Sequence, residues 1–315
     1  MIQTTDLTKV FKIGKKQKQS ITAVDGLTLQ IVEGEVFGFL GPNGAGKTTT
    51  VRMLSTLIKP SSGSAKINGL IVGKDDTDIR RQVGILTEAP GMYERLSAEK
   101  NLTIYANLYD VADPEKAVRK YLSMLGLWDR RADAVGSFSK GMRQKLAVAR
   151  ALLHEPRILF LDEPTTGLDP EAAKLVRDFI EELKQEGRTI FLTTHNLDEA
   201  DRLCDRVGIF KQKLLAVDTP SALREQMFGR KSVFHLRAVN PDWLAPLSGL
   251  PTVRNLEQVG SKLVFTLADP DQENPAIVRE LVGLGADILF IGELRHSLEQ
   301  VYLDMMRKTE EGEQA

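Results

Sequence analysis

Three short apolar runs mark the first two thirds of the chain: GEVFGFLG from position 34, RILFLDEP from 157 and RTIFLTTH from 188. Each is unbroken rather than alternating, which predicts strands covered on both faces, as in a mostly parallel sheet. Between the last two, EAAKLVRDFIEELKQEG repeats apolar residues at helical spacing and sets Leu175, Val176, Phe179, Ile180 and Leu183 on one face. Gly187 follows where a C-terminal glycine would close that helix. Apolar runs alternating with helical patterns predict an α/β domain.

The last third is patterned differently. SVFHLRAV and KLVFTLA alternate as strands with one buried face, and ADILFIG reads as another strand. Asn274 with Pro275 predicts a helix start, with Gly283 or Gly285 at its end. Ser297 and Gln300 have the spacing of a capping box and open a last helix through Met306. The remaining TEEGEQA predicts a frayed tail. These patterns divide the chain into an α/β domain over 1–222, a small α+β domain over 230–308 and a tail over 309–315, with the boundary within 222–231.

Charge changes sign across the same boundary. Residues 1–224 carry a net +4 and residues 225–315 a net −5, within an overall −1 for 315 residues. With 42% hydrophobic and 27% charged residues the composition is that of a globular chain of about two domains. No basic excess argues for a nucleic-acid partner held by phosphate neutralisation. The single cysteine, Cys204, rules out an intramolecular disulfide and suits a reducing compartment. No apolar run reaches the ~18–20 residues of a membrane span, and MIQTTDLTKV lacks a signal-peptide pattern, so a soluble intracellular protein is expected. Lys12, Lys15, Lys16 and Lys18 form the only charge run, read as a solvated hairpin or loop.

The candidate chemistry lies at the ends of the apolar runs. Gly41-Pro42-Asn43-Gly44-Ala45-Gly46-Lys47-Thr48, continuing into Thr49, matches the spacing of a phosphate-binding loop. Glycines let successive backbone N–H groups face one phosphate, Lys47 reaches the outer phosphates, and the Thr48 hydroxyl reaches Mg²⁺. A helix from about Lys47 through Leu57 aims its positive end at the same anion. A guanine-reading Asn-Lys-x-Asp is absent from the sequence. Asp162 and Glu163 close the second apolar run. Adjacent strand residues face opposite sides, so Asp162 can hold Mg²⁺ while Glu163 polarises an attacking water. His195 closes the third run, at the carboxyl edge where such sheets bind ligands.

Phe138-Ser139-Lys140-Gly141-Met142-Arg143-Gln144 stands between these elements and is followed by KLAVARALL. With it, residues 1–220 strongly resemble the ATP-binding subunits of ABC transporters, in the order and spacing of the cradle, the serine-glycine motif, Asp162-Glu163, Gly167-Leu168-Asp169-Pro170 and His195. The resemblance implies a P-loop NTPase fold binding ATP and Mg²⁺. It also implies a homodimer, or a heterodimer with a similar subunit, in which Ser139 to Met142 close on the ATP held by the partner and Asp169 crosses the interface. Met142, Leu146, Ala149 and Leu153 would bury the other face of that helix. Phe11 falls where the family places an aromatic that stacks on adenine. LLAVDTPSALRE and the module ending HSLEQVYL look like subunits of the daunorubicin-resistance type. These work at the cytoplasmic face of the membrane with a separate multi-span permease, which would dock near Glu88 to Asn101. The small domain would then stabilise the dimer or regulate it.

Two departures from the family pattern stand out. Lys140 and Met142 replace a glycine and a glutamine of the usual signature. Glu88 replaces the glutamine that usually touches Mg²⁺, and predicts closure more dependent on that ion. Two other readings stay open: a soluble ABC-type ATPase of repair or translation, and an ATP-gated regulatory subunit with little turnover.

Overall fold

The computed structural model describes residues 1–13, 19–87, 91–294 and 296–314, and divides into two compact units, Met1–Thr219 and Pro220–Ala315. Glu88 and Lys15, Lys16 and Lys18 lie outside the described residues.

The first unit opens with β1 (Ile2–Ile13), β2 (Gln19–Ile31) and β3 (Val36–Leu40), then α1 (Lys47–Leu54), β4 (Ser62–Ile67) and β5 (Leu70–Ile71). Next come α2 (Asp76–Gln82), β6 (Val83–Leu86), α3 (Ala98–Leu108), α4 (Pro114–Met124) and α5 (Lys140–Leu152). It closes with β7 (Ile158–Asp162), α6 (Pro170–Gln185), β8 (Thr189–Thr194), α7 (Leu197–Leu203), β9 (Arg206–Lys211) and β10 (Lys213–Asp218). A six-stranded sheet runs β10-β9-β3-β8-β7-β6, parallel except for β10 at its edge. A second, antiparallel sheet runs β2-β1-β4-β5. Each of the three apolar runs is a strand buried along its whole length, β3, β7 and β8. Sequence neighbours become sheet neighbours only in part: β3 lies between β8 and β9, more than a hundred residues away.

Phe191 on β8 ties the centre of this sheet together, its ring 5.9 Å from Phe37, 5.2 Å from Phe39 and 5.9 Å from Phe160. On α6, Val176, Phe179, Ile180 and Leu183 are buried, whereas Leu175 is 44% exposed, at the edge of the apolar stripe rather than inside it. Helix α1 stops at Leu54 instead of Leu57, because the Ser55 hydroxyl folds back onto the Val51 carbonyl and Thr56 turns to φ +61°. On α5, Leu146, Ala149 and Leu153 are buried and Met142 is half-buried.

The second unit holds α8 (Pro220–Phe228), β11 (Arg230–Leu236), α9 (Leu244–Ser248), β12 (Val253–Val259), β13 (Lys262–Leu267), α10 (Pro270–Gly283), β14 (Ile288–Glu293) and α11 (Leu298–Gln314). Its antiparallel sheet runs β12-β13-β11-β14. Helix α10 begins at Pro270, not at Pro275, because Asp269 accepts the Asp271 N–H and supplies an earlier cap. Ser297 and Gln300 exchange hydrogen bonds of 3.2 Å, the reciprocal pair of a capping box. The helix they open continues to Gln314, past the Met306 end expected and through the tail expected to fray.

Replacing Phe191 with Ala removes the ring that three other aromatics share. It should cost about 3–5 kcal/mol of the first unit's stability, read as a lowered urea midpoint with an unchanged slope.

Candidate functional site

The cradle joins the end of β3 to the start of α1. Gly46 precedes the helix at φ +107° and offers no side-chain cap. The first N–H groups of α1 therefore lack an intrahelical acceptor and face the hollow in front of them. Small residues are required here by contact as well as by dihedral angle. A Cβ on Gly46 would stand 2.1 Å from the Ala23 carbonyl oxygen, and one on Gly41 2.2 Å from that of Phe210. The hollow, about 390 Å³, is lined by Pro42, Asn43, Gly44, Gly46, Lys47, Thr48 and Thr49, and by Ala23, Glu163, Thr166 and His195. A larger hollow of about 1000 Å³ beside α3 and α4 is lined by charged side chains such as Glu99, Lys100, Glu115 and Arg119, but by no glycine-rich turn.

Lys47 is the buried cation of the site. Its ammonium donates to the Gly41 carbonyl at 2.7 Å and the Pro42 carbonyl at 3.3 Å, and lies 3.4 Å from Glu163 Oε1. Glu163 is the first residue past β7 and adopts φ +53°, a left-handed turn that redirects its side chain. Its N–H is held by the Thr193 carbonyl at 3.0 Å. The other oxygen, Oε2, lies 2.7 Å from His195 Nδ1 and accepts the Thr166 hydroxyl at 2.9 Å. Asp162, still on the strand and 1% exposed, accepts the Thr193 hydroxyl at 2.5 Å. The two adjacent acids thus sit in different surroundings, separated by the turn at Glu163 as well as by strand alternation.

Lys47, Glu163 and His195 therefore converge on one hollow with cradle residues 42–44 and 46–49, whereas Gly41 and Ala45 do not line it. Chemically this is an anion pocket with a carboxylate and an imidazole at its rim. Thr166 was not foreseen, although its place three residues after Glu163 is a turn spacing. Neither was the Thr193 hydroxyl, which required the pairing of β7 with β8. Phe11 does not line the hollow. It is 39% exposed on β1 with the Lys9 ammonium 5.1 Å from its ring centre.

Ser139, Lys140, Gly141 and Met142 do not line the hollow either. They form the tip of α5, where Ser139 Oγ accepts the Met142 N–H at 3.2 Å. That tip packs on the Asp169 loop: a Cβ on Gly141 would meet Ala172 at 3.1 Å, and the Lys140 ammonium lies against Gly167. Asp169 itself caps α6 by accepting the Ala172 N–H at 2.8 Å. Within α5, the buried Gln144 side chain donates to the Pro164 carbonyl at 2.8 Å and links the helix to the segment after Glu163.

Residues 24–166 match the family model of the ABC transporter. The bacitracin transport ATP-binding protein BcrA of Bacillus licheniformis is 43% identical over 221 residues, 70% of either chain. The chain belongs to the ABC transporter family. The linearmycin resistance ATP-binding protein LnrL of Bacillus subtilis is 29% identical and matches over 98% of this chain and 99% of its own length, so it also spans the second unit. Among solved structures, the ATP-binding cassette MJ0796 in a dimeric post-hydrolysis state with ADP and Pi superposes with a TM-score of 0.64. It is 26% identical, and the match covers 70% of this chain and 98% of that one. The chain is accordingly an ABC ATPase with a P-loop NTPase fold, an ATP-binding subunit that hydrolyses ATP. Cassettes of this family dimerise and serve a separate membrane component. Among the described residues, no helix is long and apolar enough to cross a membrane.

Gly46→Ala tests the cradle directly. The clash with the Ala23 carbonyl and the unfavourable φ should together cost about 1–3 kcal/mol. Titration with ATP should show affinity reduced ~10-fold or more, with the circular dichroism spectrum unchanged.

Proposed function

We propose that this chain is the motor of an exporter. Two copies, or one copy and a similar subunit, close around two ATP molecules at the cytoplasmic face of the membrane and drive a separate multi-span permease. The observation that carries this reading is Glu163, held between Lys47, Thr166 and His195 in a hollow lined by backbone donors. The names of the relatives support export: bacitracin transport in one case and linearmycin resistance in the other.

In this reading the N–H groups of the cradle and the Lys47 ammonium bind the β- and γ-phosphates. The ammonium leaves its contacts with the Gly41 and Pro42 carbonyls and with Glu163, exchanging them for the stronger charge of the triphosphate. Glu163, freed of that cation, accepts a proton from the attacking water, and His195 and Thr166 hold its other oxygen in place. Thr48 and Asp162 supply the hydroxyl and carboxylate oxygens that suit Mg²⁺, an ion commonly held by one or two carboxylates plus substrate phosphates. Glu88 would be a third oxygen donor. When bound, Mg²⁺ neutralises charge developing on the phosphates. Phe11 would pack against the adenine when ATP is bound.

Closure follows from what a single chain lacks. The α5 tip does not reach its own cradle, so Ser139, Lys140, Gly141 and Met142 serve the ATP of the partner, with Asp169 beside them at the interface. Their contacts exist only in the closed dimer, which gives ATP its differential affinity for that state. Hydrolysis removes those contacts. The second unit stabilises or regulates the dimer. The permease contacts the segment from Glu88 to Asn101, which is pinned at its far end by Asn101 hydrogen bonds to Tyr93 and Ser97.

In Glu163→Gln, turnover should fall by about 100-fold or more, while sedimentation shows a dimer that forms only with ATP. Full activity in that variant would remove Glu163 from its role. Co-purification with a multi-span membrane protein supports the transport reading, whereas stable association with ribosomes or DNA would displace it.

A further inference from the structure

Strand β8 ends Thr193-Thr194, and both side chains are buried. Valine would fill the same volume with no hydroxyl to satisfy, so a buried threonine calls for partners. Thr194 finds them just beyond the strand: its hydroxyl donates to Glu199 Oε2 at 2.9 Å and accepts the Asn196 N–H at 3.0 Å. Thr193 finds them across the sheet. In the parallel register it stands between Phe39 of the cradle strand β3 and Asp162 of β7. Paired residues of neighbouring strands turn their side chains to one face, which brings the Thr193 hydroxyl to 2.5 Å from Asp162 Oδ1. A hydroxyl carries one proton, and this bond uses it. Its lone pairs remain for the Glu163 N–H, which lies 3.2 Å from Thr193 Oγ1 and 3.0 Å from the Thr193 carbonyl oxygen. A single side chain on β8 therefore holds both acids at the end of β7. Among the described residues it is the only hydrogen-bond donor to the side chain of Asp162, which is 1% exposed.

We propose that Thr193 is a positioning residue for Mg²⁺ binding: its hydroxyl holds Asp162 Oδ1 in place, so that Oδ2 is left to the ion. This rests on the role given above to Asp162. An aspartate carboxyl turns broadly about its last torsion, and a buried one with no fixed donor would offer its oxygens in many orientations. The donor here is fixed twice over. Thr193 is paired on both sides, so its backbone cannot move without the strand that carries the cradle and the strand that carries the acids. Its β-branched side chain has few rotamers, and a hydrogen bond to an ionised carboxylate is among the stronger ones. The Thr193 hydroxyl thus sets the angle of Asp162 relative to the cradle that follows β3. Groups that orient a metal ligand in this way control the affinity of the site for its ion, and their loss costs about 10- to 100-fold. The same hydroxyl touches Glu163 only through its backbone. The turn that aims Glu163 keeps its 3.0 Å bond to the Thr193 carbonyl whatever side chain stands at 193, so the two effects are separable.

The test uses the whole chain carrying Glu163→Gln, in which nucleotide binding is read without turnover. ATP is titrated at a series of Mg²⁺ concentrations, and the readout is the Mg²⁺ concentration that gives half of the gain in affinity. Adding Thr193→Val should raise it ~10- to ~100-fold. ATP affinity without Mg²⁺, set by the cradle, should stay within about twofold, as for an independent site. A merely structural loss would move both or neither. Thr193→Ser keeps the hydroxyl and should recover most of the shift. An unchanged Mg²⁺ requirement in Thr193→Val, an equal loss of Mg²⁺-free binding, or a Ser variant no better than Val would each overturn the proposal. If Thr193→Val fails to fold, Thr193→Ala also removes the hydroxyl, with no branch to accommodate, and should give the same shift. Asp162→Asn in the same background separates the two levels. Should its ATP affinity respond to Mg²⁺ as the parent's does, the role of Asp162 fails and the positioning role with it. Should it need more Mg²⁺ while Thr193→Val and Thr193→Ala do not, only the positioning role fails.

Discussion

A buried ammonium and a half-buried carboxylate 3.4 Å apart, Lys47 and Glu163, organise the hollow of the cradle. Taking the ammonium out of water is costly, and its burial is tolerated only when its donors are met. Here they are met by parts of the chain far apart in sequence. Two cradle carbonyls take the Lys47 protons, while Thr166 and His195 hold the free oxygen of Glu163. Under the proposed function an arriving γ-phosphate would offer Lys47 a stronger partner and release Glu163 toward water.

That arrangement depends on the parallel sheet. The cradle follows β3, Glu163 follows β7 and His195 follows β8, and these strands are neighbours in the order β3-β8-β7. Their carboxyl ends therefore lie along one edge, where the segments leaving them can meet. The aromatic cluster around Phe191 packs the strands that carry all three. Core packing and site geometry are in this sense one feature.

The same chain keeps its serine-glycine helix tip away from its own cradle and against the Asp169 loop. Under the proposed function that tip serves the ATP of the partner. Gln144 joins that helix to the Pro164 carbonyl, one residue past Glu163, by a single hydrogen bond. Lys140, at the place of a usual glycine, lays its ammonium on Gly167 and adds a cation between the tip and the Asp169 loop.

Local pattern and motif spacing sufficed for the three buried strands, the cradle, the acids at 162 and 163, His195 and the capping box at Ser297, because burial on both faces and phosphate binding each demand particular residue types at fixed offsets. Where local signals compete, they misled. Asp269 capped α10 ahead of Asn274, Thr56 turned α1 off early, and β12 escaped notice because VRNLEQV, mostly solvent-facing, carries no apolar alternation. Strand order, the left-handed turn at Glu163 and the Thr193 bond to Asp162 were decided only by the tertiary structure. Periodicity along a chain records how deeply each residue is buried, but not which distant segment lies against it. A site assembled from the ends of three strands is set by those neighbours.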